Sequence, residues 1–149
     1  MVLIYLDNIN GAIKKSSLEA LSYGAAVAKQ LGTDAQALVI GDVSSDLSAL
    51  GQYGVSKVHQ LSGLNEFDAQ GFARLVADKA TEGNASVVVF SHSLSGKALA
   101  PRVSVRLKAG LVTGAVALPD TSNGFVVKKS VFSGKAFANV RINSAIKII

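Results

Sequence analysis

The chain contains no cysteine and no tryptophan, and only two prolines and two histidines among its 149 residues. Without cysteine there can be no disulfide framework, no thiolate nucleophile and no cysteine-rich zinc site. That composition suits a reducing compartment. Aromatic residues make up 6% of the chain, too few for the stacking platforms that grip single-stranded nucleic acid. The net charge of +5 is modest, and its basic residues are scattered as Lys14-Lys15, Arg102 with Arg106, and Lys128-Lys129. A solvated surface, rather than a nucleic-acid face, is the expectation. Long hydrophobic runs are missing too. The longest, Ala109 to Leu118, is interrupted by Thr113 and falls short of the ~20 residues a membrane span needs. Met1 to Leu6 lacks a basic flank and stops at Asp7, so it reads as a first strand rather than a signal peptide.

What is present is a strong core composition. Hydrophobic residues make up 49% of the chain, and a domain near this size buries about two-thirds of its unfolded surface. There is no low-complexity segment, linker or internal repeat, and the length fits one domain over residues 1–149. Strand and helix patterns alternate. Val2 to Leu6 is a strand. Ser16-Ser17-Leu18-Glu19 has the spacing of a capping box. The helix it opens carries Leu18, Leu21, Ala25, Ala28 and Leu31 on one face, with Gly32 as its stop. Strands follow at Ala35 to Ile40 and Lys57 to Leu61, with a short helix over Asp46 to Tyr53 between them. Asp68 caps a helix with Phe72, Leu75, Val76 and Ala80 inward. A strand at Ser86 to Phe90 leads to a helix from Gly96 to Lys108. Then come a strand over Leu111 to Leu118, a turn at Pro119-Asp120, and strands Phe125 to Phe132 and Lys135 to Ile142 joined at Ser133-Gly134. Ala145 to Ile149 is a last extended piece. Right-handed crossovers imply an α/β fold: a three-layer α/β/α sandwich on a mostly parallel sheet, with a C-terminal β-hairpin.

In an open α/β sheet, sites form where the chain leaves the carboxyl ends of strands. Two loops qualify. Ser91 to Lys97 joins a buried strand to a helix start, where free N–H groups favour anions. Ser93, Ser95, Gly96 and Lys97 would supply hydroxyls, a close backbone approach and a cation for a phosphate; alternatively, Ser95 simply caps the helix. The P-loop pattern is absent, because Ser91 stands at its first glycine position and Ala98 follows Lys97. Asp7-Asn8-Ile9-Asn10-Gly11 would touch a base or ribose, or is an ordinary turn. If a nucleotide binds, these two loops converge on it. His59 and His92 have no ligand-spaced partners. Asp42, Asp46 and Asp68 sit at expected helix starts, where their charge complements the dipole. No nucleophile elbow or catalytic triad order occurs, and no catalytic residue is assigned.

Ser93-Leu94-Ser95-Gly96-Lys97-Ala98-Leu99-Ala100-Pro101-Arg102-Val103 resembles the signature of the electron-transfer flavoprotein alpha subunit, as does the Gly110-Leu111-Val112 step after it. Leu50 to Val58 looks like the family's entry to its third strand, and Val131 to Ala136 like its later glycine turn. The match is collinear over nearly the whole chain. An acidic residue common in the family near Thr113-Gly114 is missing. Family members continue past the position of Ile149 into a domain that binds FAD, whose glycine-rich motifs do not occur in these residues. The resemblance thus implies the N-terminal domain of a longer subunit, on an adenine-nucleotide α-hydrolase-like fold. It implies FAD in the intact protein through that other domain, and no cofactor in this one. It weighs against AMP at Asp7, Asn8, Ser93, Ser95, Gly96 and Lys97, because the family's AMP belongs to the beta subunit. Further implications are a beta-subunit partner, and electrons taken from dehydrogenases and passed to a quinone-linked oxidoreductase. The site would be bacterial cytoplasm or mitochondrial matrix. Arg102, inside the motif, becomes the interface candidate, and Arg106 is left as surface. A stand-alone universal-stress-type adenine-nucleotide binder is the rival reading. Apolar surface left by a missing domain is expected over Phe125 to Ile149, above all in Ala145 to Ile149, so that the isolated domain self-associates.

Overall fold

The structure is a computed structural model that describes all 149 residues. Its first strand, β1 (Val2–Leu6), is buried at every position. A two-residue ladder follows, β2 (Asn8–Ile9) against β3 (Ala12–Ile13), closed by Asn10 and Gly11 at φ 51° and 82°. Positive φ at both turn positions is what an Asn-Gly pair accommodates. Helix α1 (Lys15–Gln30) returns the chain to β4 (Ala35–Ile40). A 3-10 turn over Leu47–Tyr53 leads to β5 (Lys57–Leu61). Then come α2 (Ala69–Glu82), β6 (Val87–Val89), α3 (Leu94–Leu107) and β7 (Gly110–Leu111). The hairpin β8 (Val126–Val131) and β9 (Ala136–Arg141) precedes β10 (Lys147–Ile148).

The sheet runs β5-β4-β1-β6-β10-β7, with every pairing parallel. Alternate side chains of its strands point to opposite faces, which yields two cores. Val2, Ile4, Leu6, Ala37, Val39 and Val87 pack under α1, together with Phe125, Val127 and Ile142 of the hairpin region. Leu3, Tyr5, Leu38, Ile40 and Val88 pack under α2 and α3. The hairpin therefore completes the layer that α1 begins, and the three-layer α/β/α expectation holds. The strand order reverses between β1 and β6, the strands all remaining parallel: β4 and β5 lie to one side, β6, β10 and β7 to the other.

Several local expectations are corrected. The Ser16/Glu19 capping box does not form: α1 starts at Lys15, and the Lys14 side chain makes no cap bond. Ser17 is buried instead, its Oγ accepting from the Asp7 N–H at 2.8 Å and donating to the Asp7 carbonyl at 3.3 Å. The buried face of α1 centres on Ala20, Leu21, Gly24, Val27 and Ala28, with Leu18, Ala25 and Leu31 at its margin. The strand expected over Leu111 to Leu118 shrinks to Gly110–Leu111, because the chain then leaves the sheet. Val116 donates to the Lys128 carbonyl, and Ala115 bridges Lys129 on the hairpin. Asp46 and Asp68 cap as expected, but Asp42 heads no helix: it accepts from Gly63 N–H and Asn65 Nδ2 and so ties two loops.

The largest correction concerns Ala145 to Ile149. Instead of an exposed tail, it supplies β10, which lies between β6 and β7 with Ile148 fully buried. The exposed apolar residues of the hairpin region lie elsewhere, at Phe132 and Phe137.

Candidate functional site

The two loops singled out by sequence do meet, because β1 and β6 are neighbours. Asp7 is buried at the end of β1. Its Oδ2 accepts from Ser93 Oγ at 2.5 Å and from Ser91 Oγ at 3.3 Å, and Lys14 Nζ stands 4.0 Å away. Ser93, not Ser95, caps α3: its Oγ accepts from the Gly96 N–H at 3.0 Å. Ser95 is placed beside it, hydroxyl to hydroxyl at 3.4 Å. The helix therefore begins at Leu94, two residues before the sequence suggested.

Gly96 is the tightest point of this corner, for a Cβ there would fall on the Ser91 carbonyl oxygen. Asn8 serves the backbone: its Nδ2 donates to the Ile40 carbonyl at 2.7 Å and bridges the ends of β1 and β4. Lys97 is exposed and lines a separate cleft of about 640 Å³ between α1, α3 and the 112–116 segment, together with Tyr23 and His92. Sequence reasoning missed the parts played by Ser17 and Ser91, which join Ser93 in fastening Asp7. Their only signal was a polar residue beside an otherwise apolar element.

This arrangement does not fit a phosphate. The capping N–H is already taken, and a buried carboxylate lies where an anion would seek the positive end of the α3 dipole. A nucleotide's phosphate or a dinucleotide's pyrophosphate would meet that carboxylate at close range. The corner fastens the sheet's switch point to α3.

Arg102 is exposed on α3, its Nη1 donating to the Ala98 carbonyl at 2.7 Å, beside Arg106 and Val105. His59 lies on β5, with Nε2 2.8 Å from Gln36 Oε1. Burial first, then Lys79 and Lys57, hold its pKa below the ordinary histidine value, against a smaller opposing pull from Glu82. The folded state thus disfavours the imidazolium. The stability this contributes is complete above about pH 6.5, the unfolded value, and is lost as the pH falls and the unfolded chain protonates first. Urea unfolding at pH 7.5 and pH 5.5 should show the loss, and His59→Gln should reduce it. An unchanged pH dependence in that variant would refute the assignment.

The hairpin is chemically distinct from the rest of the surface. From Thr121 to Ile149 there is no acidic residue, while Lys128, Lys129, Lys135, Arg141 and Lys147 are all basic. The remainder of the chain is balanced, with ten basic and ten acidic residues. Phe132 is 80% exposed at the hairpin turn and Phe137 is 61% exposed on β9, with Lys128 Nζ 4.5 Å from the Phe137 ring centroid. Val116 and Leu118 add exposed apolar surface nearby. No helix is long and apolar enough to cross a membrane.

A family model described as the electron transfer flavoprotein domain matches residues 2–149. The electron transfer flavoprotein subunit alpha of Bacillus subtilis (strain 168) is 28% identical over 133 residues, which cover 88% of this chain and 41% of that protein. The subunit of the same name from Clostridium acetobutylicum is 27% identical over 146 residues, covering 93% and 43%. Subunit LctC of a lactate dehydrogenase (NAD(+),ferredoxin) from Acetobacterium woodii is 26% identical over 143 residues, covering 93% and 34%. The chain thus spans about two fifths of the length of the curated relatives it matches.

Proposed function

The chain belongs to the electron transfer flavoprotein domain family, resembling the N-terminal domain of its alpha subunits, and from that premise we propose that residues 1–149 form one scaffold domain that docks a beta-type partner subunit. Proteins of this family are electron carriers rather than classical enzymes. In this reading the whole protein carries FAD outside residues 1–149, takes electrons from dehydrogenases and delivers them to a quinone-linked acceptor. A flavin supplies that chemistry because it accepts one or two electrons. This chain's part is to hold and orient.

The observation that carries the docking role is the basic hairpin with its two uncovered phenylalanines. A large aromatic side chain left in water beside cations is poor surface for a free protein and good surface for an interface. Its charge calls for an acidic counterpart with apolar pockets for Phe132 and Phe137. Arg102 stands on α3, on the opposite face of the sheet from the hairpin, and is assigned a second contact, to the FAD-carrying domain. The rival nucleotide-binding reading has the buried Asp7 against it.

Calorimetric titration of the chain with the beta-type partner tests the proposal. Phe137→Ala and Phe132→Ala are each expected to weaken binding about thirtyfold, the effect of losing a central aromatic anchor. Lys128→Glu should weaken it most at low salt, where charge attraction is least screened. Arg102→Ala should leave it unchanged. Full affinity in both phenylalanine variants would overturn the assignment. Without the partner, the same face is expected to drive self-association, which sedimentation would show as a dimer lost in the Phe132→Ala/Phe137→Ala double variant.

A further inference from the structure

The large apolar side chains exposed to solvent are not scattered. Of nine, four belong to the hairpin region (Val116, Leu118, Phe132 and Phe137). Four more, Ile9, Leu64, Phe67 and Leu94, line one pocket of about 330 Å³ at the carboxyl ends of β1 and β4. Phe67 is steadied edge-on against Phe72, with ring centroids 5.3 Å apart. The charges divide in the same way. Five of the ten acidic residues fall within Asp34–Asp68, where Lys57 is the one base. Of these, Asp42, Glu66 and Asp68 border the pocket wall made by Leu64, Asn65 and Phe67. Asp42 is held there, accepting from Asn65 Nδ2 at 2.8 Å and from the Gly63 N–H at 3.0 Å. Lys14 is the one cation lining the pocket, and it stands 4.0 Å from the Asp7 carboxylate. The rim is thus apolar with an acidic border, and the hairpin is apolar with a basic border. Each offers what the other lacks.

We propose that this rim receives the Phe132–Phe137 hairpin of a second copy of the chain. Phe132 enters the pocket between Leu64, Phe67 and Leu94, and Lys128 meets Glu66. The pocket is of the size that takes small ligands, enough for one aromatic ring. Charge disfavours the alternative pairings, basic hairpin on hairpin and acidic rim on rim. The geometry permits a reciprocal pair. Ser130 lines the cleft at the carboxyl ends of β6 and β10, together with Ser91 and Ile149. Lys147 Nζ, at the start of β10, lies 5.8 Å from the ring centroid of Phe125, just before β8. The hairpin turn therefore points toward the carboxyl end of the sheet, the end at which the rim stands. A twofold axis at that end seats each hairpin on the other copy's rim. This pairing rests on the docking role of the hairpin and adds the surface that covers it when the beta-type partner is absent. Because one hairpin serves both, partner and second copy exclude each other.

Sedimentation velocity over a range of concentrations tests the pairing. The parent chain is expected to dimerise, and Leu94→Glu to weaken the dimer about thirtyfold, although Leu94 is no part of the hairpin. Leu94 is 87% exposed and opens α3, where a carboxylate suits the helix dipole, so the thermal midpoint of that variant should not fall. Lys128→Glu and Glu66→Lys should each weaken the dimer about tenfold at low salt, since a twofold pair feels each change twice. Placed together in one chain, the two exchanges should restore most of that loss. A dimer made hairpin to hairpin would ignore Leu94→Glu. A monomeric parent, which would leave the rim to a foreign basic partner, overturns the proposal. So does a Leu94→Glu chain that dimerises like the parent, or a doubly exchanged chain no better than the single ones. Failure of the docking role reads differently: the Phe132→Ala and Phe137→Ala chains would then keep full affinity for the beta-type partner.

Discussion

Deleting Lys147–Ile149 is expected to abolish cooperative folding, although it removes only three residues. The deleted segment holds β10, which pairs with β6 through Lys147–Val87 and Ile148–Val88, and with β7 through Lys147–Gly110 and Ile148–Leu111. Among the backbone hydrogen bonds that go with it are Lys147 N–H to Ser86, Ile149 N–H to Val88, Phe90 N–H to Ile149 and Val112 N–H to Ile148. Each buried backbone group stranded without a partner costs about 1–3 kcal/mol. Ile148 and Ile149, both buried, forfeit roughly 1.5–3 kcal/mol each of apolar burial. Together these losses rival the roughly 5–15 kcal/mol by which a domain is stable. They also expose β6 and β7 as new edges prone to pair with other chains. Urea unfolding followed by circular dichroism should show no sigmoidal transition in the shortened chain. Ile148→Val, which trims one methylene, should keep the transition and cost about 1 kcal/mol. A shortened chain that unfolds with the parental midpoint and slope would refute the role given to β10.

That same strand marks the limit of what the sequence reveals. Val2–Leu6 and Ala35–Ile40 were legible because each is a short, mostly apolar run bounded by turn formers. The caps at Asp46 and Asp68 were legible because capping is decided within three residues. Ala145 to Ile149 looks equally like a loose apolar tail and a buried strand. Only the vacancy between β6 and β7, set by tertiary topology, separates the two.

The serines follow the same logic. Ser16 and Ser17 both suit a helix start, and which is used depends on Asp7, ten residues before Ser17. Ser91, Ser93 and Ser95 alternate, and Asp7, more than eighty residues away, selects Ser93 as the cap. Local chemistry narrows such sites to a short list, and one long-range partner chooses among them.

Gly96→Ala is expected to destabilise the fold by about 3 kcal/mol, the upper range for forcing extra volume into a packed site. The cause is steric rather than conformational, since Gly96 sits in α3 and its φ is not positive. The added Cβ would strike the Ser91 carbonyl oxygen, a backbone atom that cannot swing aside as a flexible side chain can. Relief requires α3 to lift from the end of β6. That would break the Gly96 N–H bond to Ser93 and pull Ser93 away from Asp7. For a chain of this size the loss corresponds to roughly 10 °C in thermal midpoint. Ser93→Ala removes the cap but leaves the space open, so it should cost only about 1 kcal/mol. Gly51→Ala is the control: nothing lies within 4 Å of its Cβ position, and restricting the unfolded chain should leave it neutral or slightly stabilised. Thermal unfolding of the three variants ranks them. A Gly96→Ala protein within about 1 °C of the parent would mean that α3 moves freely on the sheet, and the corner where Asp7, Ser91 and Ser93 meet would lose its role as the fastening of that helix.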